Sequence, residues 1–244
     1  GIVRGLANAG LPYAIEIHDW TYGRLLALYS LRAAWRHREQ SRIIAEKISA
    51  YRRNHPSAPV WLIGHSGGGA MSVLALEQLP RELSVEGAIL LAPAISPGYD
   101  LSTALTMTRR GVWNFHSWGD AFFLMFGTLL MGTIDGRHTI AAGASGFRSQ
   151  PAPGELAQSS TLLAETSPQV TAAGNNHLID GLSGAATAER QQDAPPKLTQ
   201  VPWRSEMLRH WNLGGHFGAV NPSFVRHWIA PILSAETQSI DGSR

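Results

Sequence analysis

Short runs rich in apolar residues, rather than strictly alternating patterns, mark the predicted strands of this chain. Four of them lie at 60–63, 87–92, 112–117 and 198–203. The unbroken apolar stretches among them are typical of strands in a parallel sheet that helices cover on both faces. A further run at 13–18, with two isoleucines, also predicts a strand.

Helical patterns lie between these runs. The last of them has Asn221 as its predicted N-cap and Pro222 in its first turn. Strands that alternate with helices predict an α/β fold with a mostly parallel, doubly wound sheet. The predicted helices are 2–9, closed by Gly10, then 36–53, 70–79, stopped at Pro80, then 121–131 and 222–233.

The helix predicted at 36–53 has an apolar side and a charged side. Ile44, Ile48 and Tyr51 fall on one face at helical spacing, which predicts the apolar face of an amphipathic helix. The other side is interpreted as a solvated face. Its charged residues are Arg42, Glu46, Lys47, Arg52 and Arg53.

Composition changes the picture at 149–196. This segment is rich in Ala, Ser, Gly, Gln, Thr and Pro and almost lacks aromatic residues, which predicts a flexible insertion. We therefore expect one α/β domain formed by 1–148 and 197–235, interrupted by this insertion. The polar residues 236–244 are expected to form a frayed tail.

The sharpest chemical feature is a glycine-rich turn between the strand at 60–63 and the helix at 70–79. Its sequence places Ser66 between Gly64 and Gly68 in the pattern G-x-S-x-G, which is typical of a nucleophile elbow. Glycine at both positions is expected to prevent collisions in a tight turn. The amide of Gly67 is then expected to point toward an oxyanion. His65 is expected to pack beside the nucleophile.

A serine nucleophile needs a base and an acid. His216 lies in a glycine-flanked loop after the last predicted strand, where it is the candidate base. Asp120 follows the strand at 112–117 and is the candidate acid, which would orient the imidazole. Asp135 is the alternative acid. Asp120 also has a purely structural interpretation as the cap of the following helix.

The chain order Ser66, Asp120, His216 resembles that of the α/β-hydrolase superfamily, in particular its serine esterases and lipases. The resemblance covers most of 10–233 apart from the insertion. It implies an α/β-hydrolase fold, an acyl-enzyme route and an oxyanion hole, with no metal or organic cofactor.

The start of the chain departs from this superfamily's pattern. A helix at 2–10 comes first, so we expect the sheet to lack its first strands and the chain to be an N-terminally truncated piece of a longer hydrolase. In this interpretation 13–18 is the fourth strand of the fold. Alternatively it is the third strand, and the backbone of His18, Asp19 and Trp20 serves as the oxyanion loop.

Charge and hydropathy narrow the function classes. A formal net charge of +2 gives no signal for nucleic acid, and the longest strongly apolar run, 121–134, is too short to span a bilayer alone. The absence of a visible signal peptide favours the cytoplasm. The expected function is hydrolysis of a small or lipid-like carboxylic ester. The alternative is a non-catalytic α/β-hydrolase-like domain that binds or scaffolds.

Overall fold

Four parallel strands form the sheet in the part of the chain that the structure describes. A computed structural model describes residues 1–21, 34–120, 132–148 and 197–234. The strands lie side by side in the sheet in the same order in which they follow one another along the chain. The four predicted strands are therefore confirmed. They are β1 (Trp61–His65), β2 (Gly87–Leu91), β3 (Val112–His116) and β4 (Leu198–Pro202).

Helices occupy the connections between the strands. The predicted cap of the last helical segment is confirmed, because the Asn221 side chain accepts a hydrogen bond from the Ser223 amide. A π-helical turn at Val225–Ile229 joins the last two α-helices. The α-helices are α1 (Ile2–Asn8), α2 (Ala34–Asn54), α3 (Gly67–Glu77), α4 (Ser102–Thr106), α5 (Ala142–Ser145), α6 (Pro222–Phe224) and α7 (Ala230–Ser234).

Each face of the sheet is buried in its own apolar core. On β2, Leu90 belongs to the core that α2, α3 and α4 cover. Its neighbours Ile89 and Leu91 belong to the core that α1 and the last helical segment cover. All three side chains are fully buried, which explains why this strand is apolar at consecutive positions. The prediction of an α/β fold with a parallel sheet covered on both faces is confirmed.

The segment 13–18 is not a strand, so this prediction is wrong. Its isoleucines, Ile15 and Ile17, are 43% and 74% exposed, and the Tyr13 hydroxyl donates to the carbonyl of Leu233. Two β-branched residues favour extended backbone only weakly without a ladder partner and a buried face. Neither assignment of this segment to a strand of the fold holds.

The buried face of α2 also differs from the prediction. Ile48 is buried as expected, but Tyr51 is 45% exposed. Arg52, which was expected on the solvated side, is buried and its Nη1 donates to the carbonyl of Ala58 at 2.7 Å. The methylene groups of an arginine can take a packed position in place of an aromatic ring when the guanidinium group donates a hydrogen bond to a carbonyl oxygen.

Several predictions lie outside the described residues. They concern the helix at 121–131, the insertion at 149–196 and the tail at 236–244. The residues that are described all belong to one compact unit of the chain. Within them, no helix combines the length and the apolar character needed to cross a membrane.

Candidate active site

Ser66 occupies the junction between β1 and α3 with an unusual backbone. Its φ of 55° and ψ of −122° are strained for a side-chain-bearing residue, since positive φ favours glycine. Two hydrogen bonds to the end of β2 hold this conformation. The Ser66 amide donates to the Leu91 carbonyl at 2.9 Å, and the Ser66 carbonyl accepts from the Ala94 amide at 3.0 Å. The sheet therefore maintains the strain.

Glycines make this turn possible, though not all of those predicted. A β-carbon on Gly64 would overlap the Gly68 carbonyl oxygen and lie 2.6 Å from the Gly69 amide nitrogen. One on Gly69 would lie 2.9 Å from Pro93 Cβ. At Gly68, however, the nearest atom would be Trp20 Nε1 at 3.7 Å, an ordinary contact. The expectation that Gly68 prevents a collision is wrong, and Gly69 has that role instead.

Asp120 and His216 form a buried pair at the carboxyl edge of the sheet. Asp120 ends a 3₁₀ turn that follows β3, and His216 lies in the loop before the last helical segment. Their side chains are 1% and 6% exposed, and His216 Nδ1 lies 3.0 Å from Asp120 Oδ2. Because a carboxylate accepts, Nδ1 donates, and the basic nitrogen of the neutral ring is then Nε2.

Polar contacts that the sequence analysis missed support the His216 loop. The Trp203 indole donates to the carbonyl of Asn212, whose Oδ1 accepts from the Gly214 amide at 3.1 Å. A β-carbon on Gly119 would lie 2.6 Å from the Gly214 carbonyl oxygen, so the turn before Asp120 and the loop before His216 nearly touch. The spacing from Asn212 to Gly214 is an Asx-turn signal that could have identified this support.

His65 connects the Ser66 turn with the His216 loop. Its Nε2 donates to the backbone carbonyl of His216 at 2.8 Å, and the two imidazole centroids are 4.6 Å apart. The pKa of His65 is lowered to about 4, mainly by burial and to a smaller extent by the positive charge of protonated His216. His65 is therefore neutral at pH 7 and a poor general base.

The alternative acid has a different environment. Asp135 Oδ1 accepts from the Ser96 amide at 2.9 Å, and its Oδ2 accepts from the Ser96 hydroxyl. Arg137 Nε lies 3.8 Å away. Asp135 makes no hydrogen bond to His216, whereas Asp120 does.

The hydroxyl of the candidate nucleophile makes no hydrogen bond within the part of the chain that the structure describes, and Ser66 is half-buried. Hydrogen bonds between nucleophile and base are often open in substrate-free sites.

Among the described residues, no group of three or more His, Asp or Glu side chains is arranged to hold a metal ion.

Apolar side chains are exposed beside both the candidate acid and the candidate base. Trp118, two residues before Asp120, is 65% exposed, and Leu213, three residues before His216, is 71% exposed. Trp211 in the same loop is 69% exposed. Large apolar side chains clustered in two neighbouring loops are typical of a surface that meets an apolar ligand.

Comparisons with known proteins find sequence similarity to hydrolases over part of the chain. A family model described as serine aminopeptidase, S33, matches residues 42–121, which include Ser66 and Asp120. Over 74 residues the chain is 32% identical to the monoglyceride lipase of Rattus norvegicus and 27% identical to that of Mus musculus. Each match covers 30% of this chain and 24% of the lipase, so the chain spans about a quarter of these curated relatives. No solved structure matches.

Proposed function

We propose that this chain, an α/β-hydrolase of the esterase and lipase type, cleaves carboxylic esters with Ser66 as its nucleophile. The observation that carries the proposal is the buried hydrogen bond of 3.0 Å between His216 Nδ1 and Asp120 Oδ2. The His216 loop is hydrogen-bonded to His65, the residue directly before a serine whose strained backbone sits at the start of a helix. Burying a carboxylate away from water is costly unless it is paired, and here Asp120 is paired with the His216 imidazole.

Each of the three side chains has a distinct role in the proposed reaction. His216 Nε2 takes the proton of the Ser66 hydroxyl while Ser66 Oγ attacks the ester carbonyl. Asp120 holds the imidazole with Nε2 unprotonated and stabilises the imidazolium that forms. His216 then returns the proton to the departing alcohol, and water attacks the acyl-enzyme by the same route in reverse.

The oxyanion needs hydrogen-bond donors that are already in place. Gly67 is the first residue of α3, and the amide of a first helical residue has no acceptor within its own helix. Directly after Ser66, this amide is the proposed donor to the tetrahedral oxyanion. The positive end of the α3 dipole adds to the stabilisation of negative charge there.

A lipid-like ester is the proposed substrate class. The exposed side chains of Trp118, Trp211 and Leu213 provide apolar surface next to the acid and base loops. Both curated relatives are named monoglyceride lipases, which agrees with an ester that has an apolar acyl chain. The serine aminopeptidase description favours amide cleavage, so an amide substrate belongs in the same test.

Hydrolysis by the full chain of p-nitrophenyl butyrate and of alanine p-nitroanilide tests the proposal. We expect turnover of the butyrate ester, little turnover of the anilide and a loss of at least about 10⁴-fold in kcat in Ser66→Ala. Ser57→Ala, at an exposed loop serine, is the matched control and retains the parent rate. Equal rates in the parent and in Ser66→Ala would refute the assignment and favour a non-catalytic binding domain.

A further inference from the structure

His65 makes three contacts that together attach one catalytic loop to the other. Its Nε2–H donates to the His216 carbonyl oxygen at 2.8 Å. Its ring centroid lies 4.6 Å from that of His216 with a tilt of 47°, and 5.9 Å from the ring of Phe217. The hydrogen bond joins residues that are 151 positions apart in sequence. These contacts therefore hold the loop of the candidate base against the end of β1, directly before Ser66.

The His216 loop needs such an attachment because its backbone is intrinsically permissive. Gly214, with a φ of 80°, and Gly215 directly precede His216. Glycine loses more conformational freedom on ordering than other residues, so the loop has to be held by contacts. Asp120 holds the ring at Nδ1, and Asn212 holds the backbone at Gly214. His65 holds the backbone of His216 itself, on the side of Ser66.

Accordingly, we propose that His65 is a positioning residue for His216, an inference that rests on the proposed role of His216 as the base. By binding the His216 carbonyl and packing on its ring, His65 fixes the separation between the base and Ser66. A displacement of about 1 Å between reacting groups costs roughly 10²-fold in rate, so a fixed separation has a measurable effect.

The charge state of His65 suits this role. Because its pKa is lowered to about 4 by burial, the ring is neutral at pH 7 and carries one N–H. That N–H lies at Nε2, where the carbonyl accepts it. A neutral neighbour also adds no positive charge next to the imidazolium that forms on His216 during the reaction.

Two substitutions separate the hydrogen bond of His65 from its packing. His65→Phe keeps an aromatic ring without a donor, and His65→Gln keeps an N–H at similar reach without the ring. We expect His65→Phe to lower kcat for p-nitrophenyl butyrate about 10- to 100-fold with KM within about threefold of the parent. His65→Gln is expected to recover kcat to within about fivefold. His55→Phe, at an exposed histidine, serves as the control and keeps the parent kcat.

A measurement independent of turnover distinguishes this inference from the proposed function. The His216 Nδ1–H proton, identified by its loss in Asp120→Asn, is followed by ¹H NMR in folded samples of each variant. We expect a sharp signal in the parent and in His65→Gln, and an exchange-broadened signal in His65→Phe.

Either of two outcomes would overturn the positioning role. One is a folded His65→Phe variant with an unchanged His216 signal. The other is a His65→Gln variant whose signal is broadened as much as that of His65→Phe. An inactive parent with the expected NMR pattern would contradict the esterase assignment and leave the positioning role standing.

Discussion

Asp120 and Asp135 both follow β3 in the chain, and their partners differ. Asp120 is 1% exposed and its Oδ2 accepts from His216, whereas Asp135 accepts from the amide and hydroxyl of Ser96. At the sequence level both carboxylates satisfied the chain order expected for an acid. Which of them meets the imidazole depends on the 3₁₀ turn at Trp118–Asp120, a feature that no spacing rule predicts.

Matched asparagine substitutions test this difference. Asp120→Asn is expected to lower kcat by about 10³- to 10⁴-fold, because an amide no longer favours the Nδ1–H tautomer or the imidazolium. Asp135→Asn is expected to leave kcat within about threefold. It should instead lower the free energy of unfolding by about 1–2 kcal/mol through weaker bonds to Ser96. Esterase kinetics and urea unfolding measure the two effects, and the reverse pattern would identify Asp135 as the acid.

The turn from β1 to α3 is the element on which the site depends. Its glycines are not equivalent, because Gly64 faces backbone atoms of the first turn of α3 and Gly68 faces open space up to Trp20. The G-x-S-x-G pattern by itself does not distinguish a glycine that the turn requires from one that another residue could replace. Only the local geometry, set by the positive φ of Ser66, separates a required glycine from a replaceable one.

Alanine substitution at the two glycines is the corresponding experiment. Gly64→Ala places a β-carbon against backbone that cannot move easily, so we expect a loss of at least about 2 kcal/mol in the free energy of unfolding. Gly68→Ala is expected to be neutral or stabilising by up to about 1 kcal/mol, since alanine favours a helix over glycine. Thermal or urea unfolding of both variants compares them directly, and equal destabilisation would contradict this account.

Elements whose signal is local were predicted well, and elements that depend on distant partners were not. The buried strand β2 is apolar throughout and lies between two cores, so the sequence pattern alone identified it. The run at 13–18 had strand propensity without a buried face, and the structure leaves Ile17 74% exposed. On α2, the buried side chain of Arg52 donates a hydrogen bond to the carbonyl of Ala58 in the following loop. Helical periodicity does not reveal such a contact.

At the scale of the whole molecule, the parallel sheet gathers groups that are distant in sequence. The carboxyl ends of β1, β2 and β3 lie side by side, so the residues that follow β1 and β3 meet at one edge. Ser66 was selected from the G-x-S-x-G pattern and Asp120 from its place after a predicted strand, and both follow strands that end at this edge. The contact of His65 with His216 could not be selected in this way, because it depends on how a glycine-flanked loop folds back over that edge.

The central claim is that Ser66 is a nucleophile activated by His216 and Asp120. The most direct test is reaction of the full chain with a fluorophosphonate, followed by intact mass measurement and peptide mapping. The account predicts one phosphonyl group per chain, located on Ser66, absent in Ser66→Ala and formed much more slowly in His216→Ala. Equal labelling of Ser66→Ala, a label on another residue, or no label on the folded parent would contradict it.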